Sequence, residues 1–197
     1  MNNFDTRQVK ETFARLFVLA VQNKINLQAF TNNLEKSEFA NKIETGQFSD
    51  SFNFSLEKIF FEITNKSIEQ DTSFGIYNDA YWCGYSYFEI QQRTKKSFAF
   101  IFLKLPFNKL VNVYPIYHEM DISSLLDYFL EIDKKTTILR LLCLRKGCSI
   151  PELSLKVGIN KATLAKYNAS DESLFKASFL NIYKIATFFE VPFSIFL

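Results

Sequence analysis

Histidine and tryptophan each occur once in the 197 residues, methionine twice, cysteine three times, proline four times and glycine five times. Each scarcity excludes something. A single imidazole cannot complete a two-histidine zinc site. Cys83, Cys143 and Cys148 contain no Cys-x-x-Cys pair, and their odd number argues against a disulfide framework, so reduced core thiols are expected. So few glycines and prolines leave little room for a β-rich fold with many tight turns. Long apolar runs are missing too: Leu16–Val21 and Phe98–Leu103 fall far short of the roughly 20 residues that cross a bilayer. The first residues lack the basic-then-apolar order of a secretory signal, which makes the cytoplasm the expected location. No repeat, Gly-rich phosphate loop or nucleophile motif is visible, and neither enzymatic activity, a cofactor nor a metal is expected.

What is there is apolar and aromatic. Hydrophobic residues make up 48% of the chain, aromatic residues 17% and charged residues 22%, enough apolar surface to favour folding over disorder. The length admits one large domain or two small ones. Twenty-three phenylalanines accompany frequent Ile, Asn, Lys and Tyr, as AT-rich codon usage would produce, and carry no functional weight.

The hydrophobic spacing reads as helix almost throughout, and the expected fold class is all-α. Val9, Phe13, Leu16, Phe17 and Ala20 match the i, i+3, i+4, i+7 template of one buried helical face. The pattern recurs in Leu56, Ile59, Phe60 and Ile63, in Phe107, Leu110, Val111 and Tyr114, and in Ile122, Leu125, Leu126 and Phe129. Stripes of this kind cannot bury themselves singly and imply a helical assembly. Ser55, Ser97 and Asp121 stand before helical stretches as N-caps, and Pro106 suits a first helical turn. The run Phe98–Leu103 has the β-branched and aromatic content of a strand, but Phe98, Ile101, Phe102 and Leu105 also keep helical spacing, and helix is the reading adopted. Phe74 to Tyr77 suits a short extended piece, after which Tyr77, Tyr81, Gly84, Tyr85 and Phe88 begin another amphipathic helix.

Charge divides the chain. Residues 1–133 hold 13 Lys/Arg and 17 Asp/Glu, a net −4; residues 134–197 hold 10 and 4, a net +6. Either the C-terminal part alone meets a polyanion, or its lysines merely solvate it; charge by itself does not decide between these. The local pattern is more informative. Ser149-Ile-Pro-Glu152 is a capping box that starts a helix at residue 150. Gly158 then supplies a sharp turn, and Asn160 caps a second short helix running through Tyr167. Helix, glycine turn, helix is the arrangement that presents a second helix to the major groove of DNA.

This region resembles the lambda-repressor-like, or XRE, helix-turn-helix regulators of bacteria and phages. The resemblance runs through Leu139-Arg-Leu-Leu142, Gly147-Cys-Ser149, Glu152-Leu-Ser154, Lys156-Val-Gly-Ile-Asn-Lys-Ala-Thr-Leu164, Lys166-Tyr167, Ser178-Phe179, Ile182, Lys184-Ile-Ala186 and Val191-Pro-Phe193. It implies a five-helix DNA-binding module over residues 134–197, a recognition helix at 160–167, and a contact set of Ser149, Asn160, Lys161, Ala162, Thr163, Lys166 and Tyr167. Lys161 and Lys166 would donate to guanine or phosphate, and the Ala162 methyl would meet a thymine methyl. Leu153, Val157, Ile159, Leu164 and Ile185 would form the module's core. Two departures stand out: Ile150 replaces a glutamine that family members use on phosphate, and Ser170-Asp171-Glu172 replaces a stretch that is usually basic and would repel phosphate. Weak or strongly salt-dependent binding is therefore expected.

Residues 80–126, with Tyr81-Trp82-x-Gly84, Ser97-Phe98, Pro106-x-x-Lys109-Leu-Val111 and Tyr114-x-x-Tyr117-His-Glu-Met-Asp-Ile122, resemble the N-terminal region of uncharacterised XRE proteins of low-GC Gram-positive bacteria. Such proteins are often encoded beside small toxin-like proteins of ADP-ribosyltransferase type. The resemblance implies a regulator in a toxin–antitoxin or mobile-element operon, with residues 1–133 serving dimerisation or the binding of a toxin or other protein. A homodimer on double-stranded DNA is the expected assembly. The rival is an antitoxin-like interaction protein whose helix-turn-helix no longer reads an operator. A ligand-responsive sensor would need a closed pocket among Tyr77 to Phe88. His118-Glu-Met-Asp121 has no partner motif for catalysis, so the favoured reading has Asp121 capping the next helix and His118 bonding locally.

Overall fold

The computed structural model of the chain describes residues 3–47, 55–68 and 77–196, with side chains described from residue 6 onward. Among these residues every regular element is a helix. The first half holds α1 (Asn3–Gln22), α2 (Leu27–Leu34), α3 (Glu38–Thr45), α4 (Leu56–Thr64), α5 (Asn78–Thr94), α6 (Phe98–Lys104), α7 (Phe107–Tyr117) and α8 (Ile122–Lys135). The second holds α9 (Ile138–Lys146), α10 (Ile150–Val157), α11 (Lys161–Ala169), α12 (Asp171–Phe175) and α13 (Phe179–Phe189), closed by a 3₁₀ turn at Phe193–Phe196. The all-α expectation holds. The extended piece expected at Phe74–Tyr77 lies, Tyr77 apart, outside the described residues, and Tyr77 is the residue that precedes α5.

The caps form for the reasons the residue types suggest. Ser55, Ser97 and Asp121 each accept a bond from a backbone N–H of the turn that follows, satisfying donors a helix start leaves unpaired. Pro106 stands one residue outside α7 rather than in its first turn. The run beginning at Phe98 is helical, and all of α6 from Phe98 to Lys104 is buried. Packed on every side, it keeps no polar face, which is why its composition also suited a strand.

The packing of α1 against α5 anchors the first half. A Cβ on Gly84 would stand 2.7 Å from the Ala14 Cα and 2.8 Å from the Phe17 ring, so only glycine lets these helices approach. Aromatic rings then fill the centre: Phe13 stacks on Phe98 at 4.6 Å, and Phe17 lies 5.5 Å from Tyr87. Tyr87 meets Phe102 edge-on at 4.8 Å and donates its hydroxyl to the Leu105 carbonyl at 2.8 Å, so its one polar atom is satisfied inside the core. The aromatic face of α5 considered as a pocket lining serves instead as contact surface with its neighbours. Tyr81 donates to Glu11 at 2.5 Å, Tyr85 accepts from Lys10 at 3.2 Å, and Trp82 packs edge-on against Tyr114 at 5.4 Å.

One core continues through both halves. α6 packs against α9 and the closing turn, and the Ser97 hydroxyl donates to the Ser194 carbonyl at 2.9 Å. Where α6, α8, α9 and α12 converge, the ammonium of Lys104 is wholly buried. It lies 2.8 Å from the Asp133 carboxylate and 2.9 Å from that of Asp171, and donates to the carbonyls of Thr136 at 2.6 Å and Asp133 at 3.1 Å.

Candidate nucleic-acid interface

The helix-turn-helix is built from the residues that promised it. Ser149 accepts from the Glu152 amide while the Glu152 carboxylate takes the Ser149 amide at 2.7 Å, completing the capping box that opens α10. These bonds hold the Glu152 carboxyl below its usual range. Gly158 ends α10 at φ +63°, a left-handed conformation that favours glycine. Two residues later the Asn160 side chain accepts from the Ala162 amide at 2.8 Å and opens α11. The Ser154 hydroxyl donates to the Ile159 carbonyl at 2.7 Å, tying the turn back onto α10. Leu153, Val157, Ile159, Leu164 and Ile185 are all buried, as their periodicity required.

The seven residues named as contacts separate into two groups. Asn160, Lys161, Ala162 and Lys166 are exposed, with Thr163 half-buried beside them. With Ala165, which sequence reasoning did not single out, Lys161, Ala162 and Lys166 make one strip on the outer face of α11. Its small alanines between two long cations leave the backbone free to approach a flat or grooved surface. Among the described residues no carboxylate lies within ion-pair distance of Lys161 or Lys166. Tyr167 belongs elsewhere: it is buried and its hydroxyl accepts from the Asn181 amide at 3.1 Å, so it joins α11 to α13 and is not part of the outer strip. Ser149 is exposed, yet its hydroxyl is engaged with Glu152 on both counts, donating at 2.7 Å and accepting at 3.4 Å.

Three features escaped the sequence reading. First, α11 runs two residues past Tyr167 to Ala169, and the separate short helix α12 follows at once. Second, Asp171 does not face outward. Its Oδ1 accepts from the Ile138 amide at 2.7 Å and its Oδ2 from Lys104, so its charge caps α9 and is neutralised within the protein. The expected repulsion of phosphate by Asp171 is therefore corrected; Glu172 is exposed, but Lys176 pairs with it. Third, two further cations border the turn. Lys156 is exposed on α10, and the Lys184 ammonium lies 3.9 Å from where a Cβ on Gly158 would be. Neither is among the contacts expected from the sequence, and it is the fold that carries the Lys184 ammonium from α13 to the turn. Ile150 packs against the core and offers no hydrogen bond, in keeping with its side chain.

Elsewhere, His118 stacks on Tyr114 at 4.5 Å with its Nδ1 2.9 Å from the Tyr114 carbonyl oxygen, and Asp121 accepts from the Ser123 amide at 2.8 Å to cap α8. Both arrangements are the local ones expected. Among the described residues no group of three or more His, Cys, Asp or Glu side chains is placed to hold a metal ion, and no helix is long and apolar enough to cross a membrane.

Compared with protein-family models, curated proteins and solved structures, the chain matches none.

Proposed function

We propose that the chain is a cytoplasmic, duplex-DNA-binding regulator of transcription of the XRE helix-turn-helix kind, acting on the operon of a toxin–antitoxin pair or mobile element. In this reading α11 enters the major groove, and Lys161 and Lys166 reach guanine edges or phosphates while Ala162 and Ala165 let the helix lie close. The single observation that carries the reading is the exposed strip of α11, two cations without partners among the described residues on a helix braced by a glycine turn. Lys156 and Lys184 add phosphate-directed charge at the turn. The pairing of Asp171 with Lys104 and the Ile138 amide favours the reading further, since an unpaired carboxylate there would oppose the ligand.

The ligand follows from the same chemistry. Four lysines per chain would displace about four counterions, so log affinity should fall with log salt at a slope of roughly −3 to −4 per chain. A mobility-shift titration against the chain's own upstream region at low and high salt tests this. Binding is expected at low salt, lost at high salt, and abolished by Lys161→Glu and Lys166→Glu. Absence of any shift from the intact protein at low salt would overturn the reading and leave the helix-turn-helix as a scaffold for protein contacts.

A further inference from the structure

The outer face of α13 gathers several exposed apolar and aromatic residues. Phe179 is 75% exposed, Leu180 59% and Tyr183 49%, and Phe193 of the closing turn joins them. The rings are ordered against one another: Phe193 stacks on Phe179 at 5.8 Å with the planes 9° apart, and on Tyr183 at 6.1 Å and 23°. Stacking within one chain leaves most of Phe179 in water, where isolated apolar residues are ordinary but a contiguous cluster is not.

We propose that this face is the contact between two copies of the chain. The first argument is charge. A two-fold contact sets residues near its axis against their own equivalents, so a charge at the centre of the face would meet its like. Phe179, Leu180, Tyr183, Thr187 and Phe193 carry none, in a chain where 22% of residues are charged. The one charged residue of α13, Lys184, lies instead over the Gly158 turn. The second argument is area. Taking aromatic side chains at about 200 Å² each, the four apolar residues expose roughly 400 Å² per copy and about 800 Å² in the pair. A polar rim of Ser178, Asn181 and Thr187 carries the total past the roughly 1,000 Å² that a specific interface needs.

The location differs from the sequence expectation, which assigned dimerisation to residues 1–133. It also has a consequence that rests on the DNA-binding reading. Asn181, one residue from Leu180, holds Tyr167 of α11. Copies joined through α13 therefore fix the relative placement of their two α11 helices, as paired half-sites require.

The test is the mass of the full-length protein, measured by sedimentation and light scattering from low to high micromolar concentration, with Phe179→Glu and Phe179→Glu/Tyr183→Glu compared with the parent. The parent is expected to dimerise, and each charge should raise the midpoint concentration by about thirtyfold or more, the effect of losing an anchor residue. Far-ultraviolet circular dichroism should be unchanged, because both positions are exposed. Phe179→Leu should keep the dimer. A parent that stays monomeric throughout, or a double variant that dimerises like the parent, overturns the proposal. A dimer that shifts no DNA leaves this inference standing and removes the regulator reading; a monomer that shifts DNA does the reverse.

Discussion

Lys104 illustrates a residue whose role sequence could not announce. It ends the most apolar run of the chain, and periodicity assigns it nothing, yet its ammonium is the charged centre at which both halves meet. Its chief partners come from far away, Asp171 being 67 residues further along the chain. The arrangement is favourable because three effects coincide. Its cation lies at the carbonyl end of α8, its anion Asp171 lies at the amide end of α9, and the two compensate each other. Removing one member of such a buried set leaves the others uncompensated. Lys104→Met, which keeps the apolar stem, is expected to destabilise the protein by about 3–5 kcal/mol. Asp171→Asn, which retains an acceptor for the Ile138 amide, should cost less. Urea unfolding of both variants checks the order, and equal losses would contradict it.

At the scale of elements, legibility followed locality. The capping box, Gly158 and Asn160 act on neighbours two to five residues away, and α10 and α11 start where these residues indicate. The buried stripe Val9, Phe13, Leu16, Phe17 and Ala20 was likewise readable, because a helix repeats its environment every turn. By contrast α12 has only five residues, too few to repeat a buried face, so periodicity could not reveal it although Ser170 caps it locally. The burial of Tyr167 was not legible for a related reason: the partner of its hydroxyl, Asn181, stands on another helix 14 residues further along the chain. The turn between α10 and α11 gives a direct test of the element's design. A Cβ on Gly158 would meet only the flexible end of Lys184, so the cost of Gly158→Ala comes from its left-handed backbone alone. Thermal unfolding should show a loss of roughly 1–2 kcal/mol, with DNA binding weakened in proportion to any displacement of α11.

At the scale of the whole molecule, the two charge-asymmetric halves share a seam, and the seam contains carboxylates that pay for burial. A cleft of about 600 Å³ separates the α2–α3 region from the Pro192–Ser194 segment, and Glu35, Glu38 and Glu44 line it. Glu44 accepts from the Phe98 amide at 2.6 Å, but burial still raises its carboxyl. For Glu35 burial dominates, pushing the carboxyl up to about 7, with Arg145 and Lys36 opposing the rise and Glu44 adding to it. The folded state therefore holds this proton more tightly than the unfolded chain, whose carboxyl titrates near 4.5. The stabilisation is complete below about pH 4.5 and is lost as pH rises through about 7, because folding must then retain a buried anion. The loss from this group amounts to about 3 kcal/mol at most. Glu35→Gln removes the titration and keeps the shape, so its melting temperature should exceed that of the parent at pH 8 and approach it at pH 5. Parallel melting curves for parent and variant across that range would show that Glu35 titrates normally and that the seam does not respond to pH through it.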